Sequence, residues 1–196
     1  MLLQAFDLLQ KLKAERLVGL YEVLDFEHTL ELCDRLGKKA IFHKVETVRL
    51  LQDYVSSYVD WAWGRGEIFA SYRCSPGVMV DKYRCGSKYC VLVSFRQEKR
   101  RGEVFDIRID RTVRGGFTQK KGWCETMVRH KTRRFRLAVI FPKSRPPQLV
   151  ALVEVNRNRT TRLDSAISIL PDGRYLVSWQ TLKPKLFETY ALSWTW

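Results

Sequence analysis

Apolar and polar side chains alternate in FEHTLEL, residues 26–32, where Phe26, His28, Leu30 and Leu32 share one face. A period of two is typical of a β-strand with one buried face, because successive side chains point to opposite sides of a sheet. A polar turn follows at residues 34–39, and a second apolar-rich stretch covers residues 40–50. The two stretches predict a β-hairpin.

The same period recurs through most of the remaining chain. We predict further strands at residues 89–95, 103–110, 134–141, 149–155, 175–179 and 190–196. Turn signals separate them, among them Pro146-Pro147 and Pro171-Asp172-Gly173. Residues 51–88 lack a clear period, and we predict loops with one or two short strands there. The pattern favours a mainly β fold for residues 20–196, an antiparallel β-sandwich or open barrel of about ten short strands in a single domain.

Residues 1–19 follow a different period. Leu2, Phe6, Leu9 and Leu12 recur at helical spacing, and Gly19 is a suitable residue to end a helix. We predict one N-terminal amphipathic α-helix. It could dock against the β domain, mediate assembly with a partner or a second copy, or continue an upstream helix.

Positive charge is concentrated in one third of the chain. Residues 96–162 contain 19 of the 35 Lys and Arg but only 6 of the 21 Asp and Glu. The rest of the chain contains 16 basic and 15 acidic residues. Charge segregated in this way favours association with a polyanion and carries no information about the fold. A chain that is 45% hydrophobic can bury a core, so it is not a disordered polycation.

Within this basic segment the Lys and Arg residues cluster at four predicted turns and the adjoining strands. Arg outnumbers Lys 14 to 5, which favours bidentate phosphate contacts. Phe117, Trp123 and Phe135 lie between the clusters and could stack on unpaired bases. The predicted nucleic-acid-binding residues are Lys99, Arg100, Arg101, Arg111, Arg114, Lys120, Lys121, Arg129, Lys131, Arg133, Arg134, Arg136, Arg157 and Arg159. Of these we expect Arg133 and Arg134, on a rigid strand, to contribute more than Lys120 and Lys121.

These clusters support three functional interpretations. The first is a non-enzymatic module that binds DNA or RNA through loops converging on one rim of the domain. The second is a protein-interaction or sensor subunit whose basic face docks an acidic protein partner. The third is a metal-dependent nuclease, although Asp106 and Asp110 would lie about 13 Å apart along one strand. Charged turns can also be ordinary solvated loops.

No catalytic, metal or cofactor signature is evident in the sequence. The five cysteines include no closely spaced zinc pair, since Cys85 and Cys90 are separated by four residues, so we expect thiols. His28 and His43 fall on neighbouring predicted strands without a nucleophile motif. No run of about 18 apolar residues predicts a membrane span. The first residues lack the features of a secretory signal, and we expect a cytoplasmic protein without membrane contact.

Overall fold

The computed structural model describes residues 19–196, and this part of the chain is mainly β-structure. Its helical segments are two 3-10 turns of three residues each, Val155–Arg157 and Asp164–Ala166. The strands are β1 (Tyr21–Leu32), β2 (Lys39–Leu50), β3 (Val55–Ala62), β4 (Glu67–Ser75), β5 (Val78–Cys85), β6 (Lys88–Lys99), β7 (Val104–Arg114), β8 (Lys121–Met127), β9 (Thr132–Phe141), β10 (Leu149–Glu154), β11 (Arg159–Arg162), β12 (Ile167–Ile169), β13 (Tyr175–Thr181) and β14 (Thr189–Thr195).

The predicted first hairpin is confirmed. Strands β1 and β2 pair in antiparallel register from Tyr21 opposite Leu50 to Leu32 opposite Ala40. Asp34 organises the turn, because its carboxylate accepts backbone hydrogen bonds from Leu36 at 2.8 Å and from two lysines further along. An aspartate that caps its own turn in this way fixes the hairpin locally.

The strands form three sheets. The seven-stranded sheet has the order β12-β13-β9-β1-β2-β7-β4, the four-stranded sheet β11-β10-β14-β8, and the three-stranded sheet β3-β6-β5. One pairing departs from the antiparallel prediction, since β1 and β9 run parallel. Alternation within a strand reports which face is buried and not the direction of its neighbour, so the sequence could not reveal this pairing.

Residues 51–88 correct the sequence prediction most. Instead of loops with one or two short strands they form β3, β4 and β5, each eight or nine residues long, and residues 19–196 contain fourteen strands instead of about ten. The inward residues of β3 include the charged Asp60, and most side chains of β5 are exposed. Neither strand therefore has the uninterrupted alternation of apolar and polar residues by which a strand is recognised in a sequence.

One apolar cluster joins the three sheets. Phe26 of β1 stacks on Phe135 of β9 with ring centroids 4.7 Å apart, and Leu30 and Leu137 beside them are fully buried. Val93 of the three-stranded sheet and residues of the four-stranded sheet belong to the same cluster. The smaller sheets thus cover the inner face of the large one.

The predicted N-terminal helix lies outside the described residues. Across residues 19–196, no helix has the length and apolar character needed to cross a membrane.

Replacing Phe135 with alanine should lower the free energy of unfolding by about 3–5 kcal/mol, because it removes a buried ring and leaves a cavity. The matched control is Arg136→Ala on the same strand, whose half-exposed side chain on the outer face should contribute at most about 1 kcal/mol. Urea unfolding measures both. Equal losses in the two variants would contradict this assignment of the core.

Candidate functional site

A cavity of about 130 Å³ lies between the inner face of the seven-stranded sheet and two strands that face it. These are β3, an edge of the three-stranded sheet, and β8, an edge of the four-stranded sheet. The large sheet supplies His28, Lys44 and Arg111 to the cavity. The lining also includes Trp123, which is 39% exposed, so the cavity reaches the surface there.

The ammonium of Lys44, whose side chain is largely buried, lies in the cavity. Its Nζ donates to the Tyr58 hydroxyl at 2.7 Å and to the Asp60 carboxylate, and it lies 3.3 Å from a carboxylate oxygen of Glu46. The Tyr58 hydroxyl donates to Glu46 at 3.0 Å, and the Tyr72 hydroxyl donates to Asp60 at 3.2 Å. The three protons of Lys44 therefore all have acceptors, and both carboxylates are engaged.

Electrostatics keep the Lys44 ammonium protonated. Burial alone would lower the pKa of Lys44, but Asp60 and Glu46 outweigh burial and raise it above its usual value. Burial and the nearby Glu46 raise the pKa of Tyr58 well above its usual value, so the phenol stays neutral and can donate. Two carboxylates and one ammonium thus share a desolvated space with complementary hydrogen bonds.

Arg111 is the second buried cation, and one of its guanidinium nitrogens lacks an acceptor within residues 19–196. Its residue is 8% exposed, and the guanidinium carbon lies 4.5 Å from the ring centroid of Phe42 and 5.6 Å from that of Phe69. Its Nη1 is shielded from solvent and has no hydrogen-bond partner in residues 19–196. Burial lowers the pKa of Arg111, but a guanidinium keeps its charge in proteins.

One buried histidine, His28, and one half-buried histidine, His130, also line the cavity. Nδ1 of His28 lies 2.7 Å from the Thr126 hydroxyl, and burial followed by the charge of Arg111 lowers the pKa of His28 to about 3. His130 stacks on Tyr21 with ring centroids 4.1 Å apart, and burial lowers its pKa to about 4. Both imidazoles are therefore neutral at pH 7.

Three tryptophans that line the cavity each carry a basic side chain over the indole ring. We call this group of six residues the tryptophan rim. Its pairs are Arg129 over Trp61 at 4.1 Å, Lys88 over Trp63 at 4.4 Å and Arg65 over Trp123 at 5.1 Å. One carboxylate lies among them, that of Glu125, which accepts a 2.5 Å hydrogen bond from Nε1 of Trp63.

Half of the basic residues predicted from the sequence contact carboxylates. Arg134 makes a bidentate contact with Asp25, and Arg133 lies 3.3 Å from Glu22. The seven residues in ion pairs are Lys99, Arg114, Arg133, Arg134, Arg136, Arg157 and Arg159. Arg111 is buried, and Arg129 lies on the tryptophan rim. For the remaining five, Arg100, Arg101, Lys120, Lys121 and Lys131, the part of the chain described contains no ion-pair partner.

The four predicted basic turns do not share one rim. Residues 100–103 and 128–131 lie at the end of the large sheet where β1 begins, because Glu103 bonds to Leu50 and Lys131 to Val23. The turn at 155–158 lies nearby, since Asn156 and Val128 both bond to Glu188. Residues 115–120 lie at the opposite end, beside the β1–β2 turn.

Several residues of this site escaped the sequence prediction. Lys44 and Glu46 stand at inward positions of β2, and Asp60 at an inward position of β3. Arg65 and Lys88 lie outside the basic segment. Arg111 was among the predicted basic residues, but its burial was not predicted. A usable signal for that burial existed, because the alternation of Ile107 and Ile109 continued by one step places Arg111 on the buried face.

The residues considered for metal or nucleophile chemistry are dispersed. None of the five cysteines, which all fall in the described chain, forms a disulfide. Residues 19–196 contain no group of three or more His, Cys, Asp or Glu that could hold a metal ion. His43 contacts Asp110 at 2.6 Å on the outer face of the large sheet, whereas His28 faces inward.

Comparison with known proteins gives a likeness of fold. No family model and no curated protein matches the sequence. Legionella pneumophila aminopeptidase A, solved with aspartic acid, is similar with a TM-score of 0.50 at 12% identity over 89% of this chain and 21% of its own. A two-domain M1 zinc metallopeptidase mutant bound to L-tryptophan has a TM-score of 0.50 at 13% identity. The match covers 88% of this chain and 42% of the metallopeptidase. The Deinococcus radiodurans M1 zinc metallopeptidase mutant has a TM-score of 0.49 at 13% identity. The match covers 88% of this chain and 42% of the metallopeptidase. The chain thus spans less than half of each.

We expect His130→Phe to reduce the loss of stability in acid. The folded-state pKa of about 4 lies below the usual value of 6.5, so the unfolded chain binds the proton first as the pH falls. Wild-type stability should therefore decrease between about pH 6.5 and pH 4 with a contribution of about 1.4 kcal/mol per pH unit from this residue. Phenylalanine keeps the ring against Tyr21 but cannot be protonated. Urea unfolding at several pH values measures the slopes, and parallel curves for the two proteins would refute the assignment.

Proposed function

We propose that the chain is a nucleic-acid-binding module without an enzymatic role, and that it binds single strands at the tryptophan rim. The observation that carries the proposal is the pairing of three cavity-lining tryptophans with three basic side chains. Aromatic rings stack on unpaired bases, and the cations beside them contact the phosphates between those bases. The sheets form a sandwich-like scaffold that holds both groups in place.

The charge at the rim supports this proposal. Arg65, Lys88 and Arg129 are held over indole rings, and no ion pair links them to a carboxylate within residues 19–196. Lys121 precedes Trp123 on β8 by two residues and is exposed, so it extends the basic surface along this edge. Cations that are not already neutralised can release counterions when they meet phosphate.

The ion pairs change which predicted residues we expect to contact phosphate. Arg134 already holds the Asp25 carboxylate, and Arg133 and Arg136 lie beside Glu22 and Glu27. Phosphate binding there would have to replace contacts the folded chain already makes. We therefore rank Lys120 and Lys121, which have no such partner in the described chain, above Arg133 and Arg134.

The double substitution Arg65→Ala with Lys88→Ala should weaken binding to fluorescein-labelled single-stranded oligonucleotides by about tenfold or more. It should also reduce the slope of log affinity against log salt by about 0.7 for each lost contact. Fluorescence anisotropy across a salt series measures both quantities. Trp123→Ala should cost about 1–3 kcal/mol of binding through lost stacking.

The control is Arg133→Ala with Arg136→Ala, which removes the same charge from the outer face of β9. Glu22 keeps Arg49 and Glu27 keeps Arg134 as partners in this variant. Equal weakening in both double variants would mean that the charge acts as a diffuse field without a site. A folded wild-type protein that binds no oligonucleotide at low salt would refute the proposal and favour the acidic protein partner.

A further inference from the structure

We propose that the cavity between the sheets is a binding site for a single-ring aromatic carboxylate, anchored by Arg111. This inference does not depend on nucleic-acid binding at the rim. It follows from one buried cation without an acceptor, from the charges around the cavity, and from the size and aromatic character of the space.

Arg111 is the one charged group among the three residues of the described chain that have a buried polar side-chain atom without a hydrogen-bond partner, the others being His130 and Trp194. Asp60 accepts from Lys44 and Tyr72, and Glu46 accepts from Tyr58 with Lys44 beside it. The two buried carboxylates are thus occupied, whereas Nη1 of Arg111 is shielded and has no partner within residues 19–196. A buried charged donor without a partner is costly in folding, so a ligand that supplies an acceptor there gains affinity.

The charges that line the cavity favour an anion. Five basic and three acidic side chains face it, and both lining histidines are neutral at pH 7 because burial lowers each pKa. The charged side chains are Lys44, Arg65, Arg111, Lys121, Arg129, Glu46, Asp60 and Glu125. A carboxylate matches the fork of a guanidinium with two parallel hydrogen bonds, which makes it the best complement to Arg111.

The volume and the aromatic lining of the cavity match a ligand with a single aromatic ring. Its volume is about 130 Å³, close to the roughly 150 Å³ of an engineered protein cavity that holds benzene. Aromatic side chains line it on several sides, including Tyr21, Phe42, Trp61 and Phe117. Since Arg111 lies against Phe42 on the large sheet, we place the carboxylate toward that sheet and the ring toward the mouth.

Benzoate is the probe, with benzyl alcohol as its neutral counterpart and acetate as the carboxylate without a ring. Isothermal titration calorimetry on the full chain should give a dissociation constant of roughly 0.1–1 mM for benzoate, the range open to so small a ligand. Benzyl alcohol and acetate should each bind at least about tenfold more weakly, because each lacks one of the two matching features.

The decisive variant is Arg111→Met, which keeps the apolar stem and removes the guanidinium. It should weaken benzoate binding by at least about tenfold. It should also raise the melting temperature of the ligand-free protein, because an unpaired buried charge is gone. Arg108→Met on the exposed face of the same strand is the matched control and should leave benzoate affinity unchanged.

Unchanged benzoate affinity in folded Arg111→Met would overturn the proposal. So would the absence of heat of binding with wild-type protein at about 10 mM benzoate, well above the expected dissociation constant. Should Arg111→Met fail to fold, Arg111→Lys retains the charge without the fork and must still weaken binding. A wild-type protein that binds benzoate no more tightly than benzyl alcohol would also overturn the proposal, whether or not a variant folds.

Discussion

Lys44 extends from the inner face of the seven-stranded sheet to the Asp60 carboxylate on the edge of the three-stranded sheet. Glu46 on its own strand and Tyr58 on the facing strand complete the hydrogen bonds. A buried ammonium is tolerated only when such acceptors surround it, so the two sheets must keep one relative position. The shape of the cavity, and the placement of everything at its mouth, depend on this contact.

The same contact explains why Arg111 remains without an acceptor. Each of the two sheets provides one buried carboxylate to the cavity, and Lys44 and two tyrosines bind these carboxylates, while stacking on Phe42 compensates part of the charge of Arg111. Natural proteins carry such unsatisfied groups mainly where function needs them. The buried cation in the cavity and the basic rim outside it both direct the site toward anionic ligands.

The period-two pattern was sufficient to predict a mainly β chain and the first hairpin, because those strands have one apolar face. It failed for β3 and β5, where Asp60 faces inward and most side chains of β5 face solvent. Ion pairs between distant residues, such as Arg134 with Asp25, depend on the parallel pairing of β9 with β1, which no local pattern encodes. The sequence was sufficient to identify the basic segment. Only the fold shows which of its Lys and Arg side chains form ion pairs with carboxylates and which do not.

A double-mutant cycle on Lys44 and Asp60 tests the central claim, that this buried pair joins the two sheets. Lys44→Met, Asp60→Asn and the double variant would be compared by urea unfolding at neutral pH. We expect the losses of unfolding free energy in the two single variants to sum to more than the loss in the double variant. The difference, which is the coupling free energy between the two residues, should be about 2–3 kcal/mol. Losses that add to within about 0.5 kcal/mol would show that the contact does not join the sheets.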